Sequence, residues 1–441
     1  MMDLEKIKNK LLEKGMDDVV VHSSCQEAIQ IKFVNNKVAK TGSELTESVS
    51  VFVAKDQKVA VTSLNDVSDD AINKAIDKIA KFVQCLQKKE SYVGIAKGPF
   101  KYKEIEGGYD FNIKKVIDNA GDVVEEGINL ALENGAKRCG GIFEVYDSNS
   151  RMVTSNDVSE EDKATRFYFS IRSLINKDAS GHKYSCSRSF KDLDYKESSV
   201  RSAEIAKMAV NPSKAVYGKY DVLFDPLPFA DILQHVGSSC SIFSVEAGFS
   251  FLKDKLNKQV ASEEFTLFDD GTMPKGYGSV KSDEEGVPAR KNILFDKGVF
   301  KTYLYNTSSA KRHGVKTTAN AGLVSPNPWN VVLKKGDYSF DEMIKKIKKG
   351  VYVTNQWYTR FQNYSNGDFS TIPRDGIFLI EKGEIKNPIK GIRLNDNIPR
   401  MLKNVSAVGN KQKQIVSWEV SEVPVVTPSV LVKDVNITSP D

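Results

Sequence analysis

EAIQIKF at Glu27–Phe33 and ESVSVFV at Glu47–Val53 largely alternate apolar with polar residues. That period of two is what a β-strand with one buried face requires, so the pair reads as antiparallel strands. KVAVT at Lys58–Thr62 adds a third strand after a turn at Lys55–Gln57. Then the period changes. Ala71, Ile72, Ala75, Ile76 and Ile79 recur at helical spacing behind the cap residues Asp66-Val67-Ser68-Asp69-Asp70, which predicts a helix through Lys81. A strand–strand–strand–helix order points to the α+β class.

Working outward, MMDLEKIKNKLLEKGMDD places Leu4, Ile7, Leu11 and Leu12 on one face of a first helix. It has no apolar signal core and no run in the chain reaches membrane-spanning length, so a cytoplasmic protein is expected. Ser91–Tyr109, with Pro99, reads as a linker, followed by a long helix over Asn112–Asn134. Strands are expected at Ile142–Tyr146, Arg151–Ser155 and Thr165–Ile171, and a helix at Ser198–Met208 that stops near Asn211-Pro212. At Val216–Phe224 (VYGKYDVLF) the pattern turns into a strand, Asp225-Pro226, and an apolar helix over Leu227–Ser241. We place a domain boundary near 215. An α+β domain 1–215, with a central segment over about 110–215, precedes a strand-rich domain 216–441. The second domain is punctuated by turns at Asp270-Gly271, Lys297-Gly298 and Asn366-Gly367, and Val423–Val432 reads as an edge strand interrupted by prolines.

The 63 basic and 58 acidic side chains leave a net charge of +5 spread over the chain. Lys-rich stretches before Gly350 interleave with apolar positions, as on a solvated helix face, which argues against a nucleic-acid partner. Cys25, Cys85, Cys139, Cys186 and Cys240 stand singly with no CxxC, the pattern of reduced thiols. There is no GxSxG, no GxxxxGK[ST] and no GxGxxG after a strand, and Gly276-Tyr277-Gly278-Ser279 reads as a bend.

Several segments of the second half together resemble one family. They are Phe268-Asp269-Asp270-Gly271-Thr272, then Asp283-Glu284-Glu285-Gly286-Val287-Pro288, then the hairpin Ile293–Tyr303 leading to Asn306–Ala310. Gly314–Gly322, Gly376–Gly383 and Val408-Gly409-Asn410 follow in order. Their sequence and spacing resemble the TldD/PmbA family, known as modulators of DNA gyrase and as metallopeptidases, over nearly the full chain. On the residues alone, Gly271, Gly298, Gly314 and Gly322 are expected at positive φ in turns. Asp283, Glu284 and Glu285 read as a solvated loop, with a metal or acid–base role as the alternative; the resemblance implies that the loop borders a cavity.

The TldD branch carries an HExxxH helix and a later cysteine, a set that holds zinc and lets the glutamate take a proton from the bound water. Here the matching helix is Leu233-Gln234-His235-Val236-Gly237-Ser238-Ser239-Cys240-Ser241. His235 is present, Val236 replaces the glutamate, and no second histidine follows nearby. The later cysteine is expected near Ile415-Val416-Ser417-Trp418, and none occurs after Cys240. Of the four histidines, His22, His182, His235 and His313, none is paired at ligand spacing. His235 with Cys240 is the only metal pair to consider, and a packed histidine beside a buried thiol is the plainer state. The chain therefore resembles the PmbA-like branch. The resemblance implies no catalytic residue, cofactor or metal in this chain, and zinc only in a TldD-like partner. It further implies a heterodimer with that subunit, or a homodimer, acting on peptides or unfolded polypeptides. The alternative is a homodimeric, non-proteolytic binding or scaffold protein. Interface candidates are Ile242, Phe243, Phe249, Phe251, Trp329, Trp357, Tyr358 and Phe361, most of which core packing explains equally well.

Overall fold

The alternating heptapeptides are fragments of much longer strands. The structure, a computed structural model, describes residues 2–417 and 421–439. β1 (Asp18–Val34) pairs antiparallel with β2 (Lys37–Lys55). With β3 (Lys58–Leu64), β4 (Arg138–Thr154), β5 (Ser159–Leu174) and β6 (Ser180–Ser187), they form a sheet in the order β3-β2-β1-β4-β5-β6. Asp56 and Gln57 both take positive φ (49° and 63°), the geometry of a tight hairpin turn. β4 is one strand where the alternation suggested two. Its polar middle, Asp147–Ser150, is paired with β1 on one side and β5 on the other, so the hydrogen-bond ladder carries it where apolar residues do not. Gly141 lies within β4 because a Cβ there would sit 1.9 Å from the Ser170 carbonyl oxygen and 2.6 Å from the Phe33 ring.

Helices cover one face of this sheet. α1 (Leu4–Glu13) and α2 (Asp69–Gln84), the latter capped by Ser68, bury Leu4, Ile7, Leu11, Ile72, Ile76 and Ile79 against Val19, Val21, Val51 and Val53. α3 (Ile113–Asp118), α4 (Ala120–Glu133) and α5 (Tyr195–Met208) pack on Phe33, Phe143, Phe167 and Phe169. The single helix expected over Asn112–Asn134 is broken at Asn119, whose dihedrals (φ −111°, ψ 19°) leave the helical region. On the opposite face, Tyr92, Ile95 and Phe100 of the linker lie on Val20, Phe52 and Met152.

The later strands make two more sheets. They are β7 (Gly218–Phe224), β8 (Leu267–Asp270), β9 (Lys291–Asp296), β10 (Val299–Phe300), β11 (Val331–Leu333), β12 (Lys349–Asn363) and β13 (Asp368–Glu381). β14 (Glu384–Pro388), β15 (Arg393–Asn397), β16 (Val405–Val408), β17 (Lys413–Ser417), β18 (Ser421–Thr427) and β19 (Val430–Thr438) follow. One sheet runs β10-β9-β8-β11-β18-β17, the other β12-β7-β19-β15-β13-β14 with β16 on β19. Because β12 also pairs with β13, the strands β12, β7, β19, β15 and β13 close into a ring. α6 (Pro226–Ser239) contacts strands of both sheets and buries Leu227, Phe229, Ile232, Leu233 and Val236. Val423–Val432 is not an edge strand. It spans β18, flanked by β17 and β11, and β19, inside the ring, with Pro428 at the crossing. Pro424 is tolerated because it falls where the β17–β18 register slips and outside the stretch paired with β11. No helix among the described residues is long and apolar enough to cross a membrane.

Candidate functional site

α6 begins where β7 ends, and Pro226 at its first turn presets the helical φ. Asp225 before it pairs with Lys183 of β6, which fastens the helix to the first sheet. Polar side chains interrupt the apolar run, and two of them, Asp231 and His235, face β12. Asp231 is buried and accepts from Gln356 Nε2 (2.9 Å), Gln234 Nε2 (3.0 Å) and the Thr359 hydroxyl. One turn later His235 brings Nε2 to 3.6 Å from Asp231 Oδ1 and sets its ring edge-on to Phe361 at 4.7 Å. A cleft of about 300 Å³ opens here, walled by His235, Ser238, Ser239, Ser244, Phe249, Phe361 and Tyr364. Phe361 and Tyr364 stack at 4.7 Å, and Phe249 closes on Tyr364 edge-on. β12 pairs with β7 only over Gly350–Val353, so its next residues are free of β7 where they pass this cleft.

His235 and Cys240 are not brought together. Positions i and i+5 of a regular helix lie about 140° apart. Cys240 turns inward, donates its thiol to Val236 O at 3.3 Å, and is held well above the usual thiol range by burial. Among the described residues no three His, Cys, Asp or Glu side chains gather as a metal-holding group. Beside His235 stand aromatic rings, serine hydroxyls and the Asp231 carboxylate, which Gln356, Gln234 and Thr359 already hold, a poor match to a zinc-binding donor set. Trp418, in the segment where the family's later cysteine is expected, lies outside the described residues.

The other histidines are elsewhere. His313 bonds Glu246 at 2.9 Å, beside Arg312, which grips the same carboxylate. His182 is buried with Nε2 2.9 Å from Ser170 Oγ, and Asp375 stands nearby. This is not a hydrolytic triad. Both neighbours of Nδ1, Asn355 Nδ2 (3.2 Å) and Arg172 Nη2 (3.5 Å), are donors, so Nε2 carries the proton and cannot take one from serine. Burial, reinforced by Arg172, pushes the His182 pKa down to about 3.

In the loop Asp283–Val287, Glu284 is exposed, as the composition suggests, but Asp283 and Glu285 are not. Asp283 is 1 % and Glu285 8 % exposed, because the chain folds the loop over its own amides. Asp283 accepts from the N–H groups of Glu285, Val287 and Ala321 at 2.9–3.0 Å. Gly298 and Gly314 do take positive φ, but Gly271 and Gly322 do not. Those two are glycine for want of space, since a Cβ would meet the Trp329 ring at 2.9 Å and the Ser325 carbonyl oxygen at 2.6 Å respectively.

Of the proposed interface residues, Ile242 and Phe251 are buried, while Phe243, Phe249, Trp357 and Tyr358 are exposed. Trp329 is half-buried and bonds Ala319 O through its indole N–H. Sequence reasoning missed Asp231, whose signal was a lone carboxylate one turn before His235 in an apolar helix. It also missed Asp269, buried among Asn320, Trp329 and Asn292, and raised to about 7 by that burial. Arg188, which is fully buried at the end of β6, went unnoticed too.

The family description "PmbA/TldA metallopeptidase C-terminal domain" matches residues 217–439, and "PmbA/TldA metallopeptidase domain 1" matches residues 26–81. A metalloprotease of Methanocaldococcus jannaschii is 27% identical over 92% of this chain and 92% of its own length. A metalloprotease PmbA homolog of Buchnera aphidicola is 26% identical over 57% of this chain and 56% of its own. The crystal structure of TldE from Thermococcus kodakarensis shares the fold, with a TM-score of 0.88 at 21% identity over 99% of this chain and 100% of that one. The chain belongs to the PmbA/TldD metallopeptidase family.

Proposed function

We propose that this chain is the PmbA-like, non-metal subunit of a TldD/PmbA-type peptidase acting on peptides or unfolded polypeptides. Zinc would reside in a TldD-like partner, and this subunit would supply interface and cavity wall. The observation that carries the reading is the surroundings of His235. Its cleft offers rings and serine hydroxyls where a zinc peptidase needs a second strong ligand and a general base. The Asp231 carboxylate beside it is already engaged by Gln356, Thr359 and Gln234. The cleft, beside the stretch of β12 that runs beyond its pairing with β7, still suits an extended chain, because main-chain hydrogen bonds bind peptides with little regard to sequence.

The test is to purify the chain alone and mixed with a TldD-type subunit, then measure bound zinc and cleavage of an unstructured peptide. Zinc and chelator-sensitive cleavage confined to the mixture is the expected result. Both in the chain alone would overturn the reading. Neither in any mixture would favour the non-proteolytic homodimer.

A further inference from the structure

We propose that the outer edge of β2 pairs with the same edge of a second copy of this chain, antiparallel and centred on Gly42, joining two first sheets into one. β2 outruns the strand that covers it. β1 lies along its inner side from Lys37 to Ala54, but β3 pairs with its outer side only over Val49–Lys55. Lys37–Ser48 therefore have no strand beyond them, and among the described residues their backbone makes no backbone hydrogen bond outside the ladder with β1. Lys37–Leu45 are all exposed, and a Cβ added at Gly42 would meet nothing within 4 Å. An edge of this length is a template for another strand unless its side chains oppose pairing.

The charges here favour pairing with a copy of itself. The edge reads KVAKTGSELTE from Lys37 to Glu47, basic at one end and acidic at the other. About a twofold axis at Gly42, Lys40 lies opposite Glu44 of the second copy, twice per dimer, and Thr41 lies opposite Ser43. Lys40 has no ion pair among the described residues, and Glu44 is held by the Thr46 hydroxyl at 3.2 Å. Slipping the register by two residues loses both ion pairs. Slipping it by four sets Lys40 on Lys40 or Glu44 on Glu44.

The apolar residues select the same register. Residues opposite each other in a ladder share a face, and β2 carries one extra residue, Ala39, between Val38 (opposite Phe33) and Lys40 (opposite Lys32). Val38 therefore lies on the Phe33 face, as do Thr41, Ser43 and Leu45, while Lys40 and Glu44 lie on the other. The bulge brings Val38, in place of Ala39, opposite Leu45 of the second copy. These side chains are 48 % and 68 % exposed in the single chain, and each would cover the other. One face of the joint gains two ion pairs and the other two apolar contacts. The edge is separate from the His235 cleft, so the proposal does not rest on the peptidase reading.

Sedimentation equilibrium of the purified full chain, without any other subunit, tests this. An edge this short buries little surface, so a dimer with a dissociation constant of roughly 1–100 μM is expected. Lys40→Glu and Glu44→Lys each place like charges opposite one another at both ends of the joint, and each should weaken association by about tenfold or more. Both side chains are exposed, so the variants should keep the parent fold. An equal mixture of the two should associate as the parent does, because each copy then meets the opposite sign at both positions. A parent that stays monomeric at about 100 μM overturns the proposal. So does a dimer that neither substitution weakens, or a loss that mixing does not restore.

Discussion

Replacing Arg188 with methionine tests how the first sheet is joined to the C-terminal half. Its guanidinium is buried and bridges two other segments, donating to Gly108 O at 2.9 Å, and to Tyr277 O at 3.2 Å and Ser279 O at 3.3 Å in one bend. Burial lowers its pKa to about 10, so holding the charge there costs about 3 kcal/mol. Hydrogen bonds from a charged donor contribute roughly 1.5–3 kcal/mol each, so these three bonds together outweigh that cost by about 1.5–6 kcal/mol. Methionine nearly preserves the volume, removes the charge and leaves the three carbonyls without this donor. Arg188→Met should therefore lower unfolding stability by about 1.5–6 kcal/mol in urea melts followed by tryptophan fluorescence. Arg188→Lys should recover only part of this, because an ammonium cannot reproduce the planar fork. A methionine variant as stable as the parent would refute the reasoning. It would mean that desolvation cancels the bonds, as happens when apolar residues replace some buried ion pairs.

Two further outcomes follow. His182 is held neutral in the fold with its pKa lowered from 6.5 to about 3, so the unfolded chain gains a proton that the folded one refuses. Its contribution is intact above 6.5 and is lost as pH falls toward 3, by about 2–3 kcal/mol at pH 4.5. His182→Gln should flatten that part of the pH profile in paired urea melts. Phe249 and Tyr364 are 60 % and 54 % exposed, so the Phe249→Ser, Tyr364→Ser double variant should change the stability of the isolated chain by under about 1 kcal/mol. If these rings meet the partner subunit, sedimentation should show association weakened by about tenfold or more; unchanged association would remove them from the interface.

The first sheet was legible because the burial of one face writes itself into Glu27–Phe33, Glu47–Val53 and Thr165–Ile171. β6 was not, since SGHKYSCS is a polar strand whose place is set by its pairing with β5. The α3–α4 break was invisible too, as Asn119 interrupts no apolar periodicity. At the site, His235 could be singled out by motif position alone, but its surroundings could not. Phe361 and Tyr364 lie more than a hundred residues away in sequence and arrive with β12 and the turn after it. The acidic loop misled for a related reason. Charged residues in a short glycine-bearing stretch usually face water, and only the tertiary fold reveals that Asp283 is enclosed by amides from its own loop and from Ala321.

The ring of β-strands sets an order of events during synthesis. β7 is made first among its members, yet its antiparallel neighbour β19 emerges only after β12, β13 and β15. The sheet cannot close until the strand that bridges its earliest and latest pieces has been translated. Meanwhile α6 and the apolar side of β7 wait without their cover. The first sheet, complete by Ser187, has all its strands long before then and can stand as a finished platform while the rest of the chain is still being made.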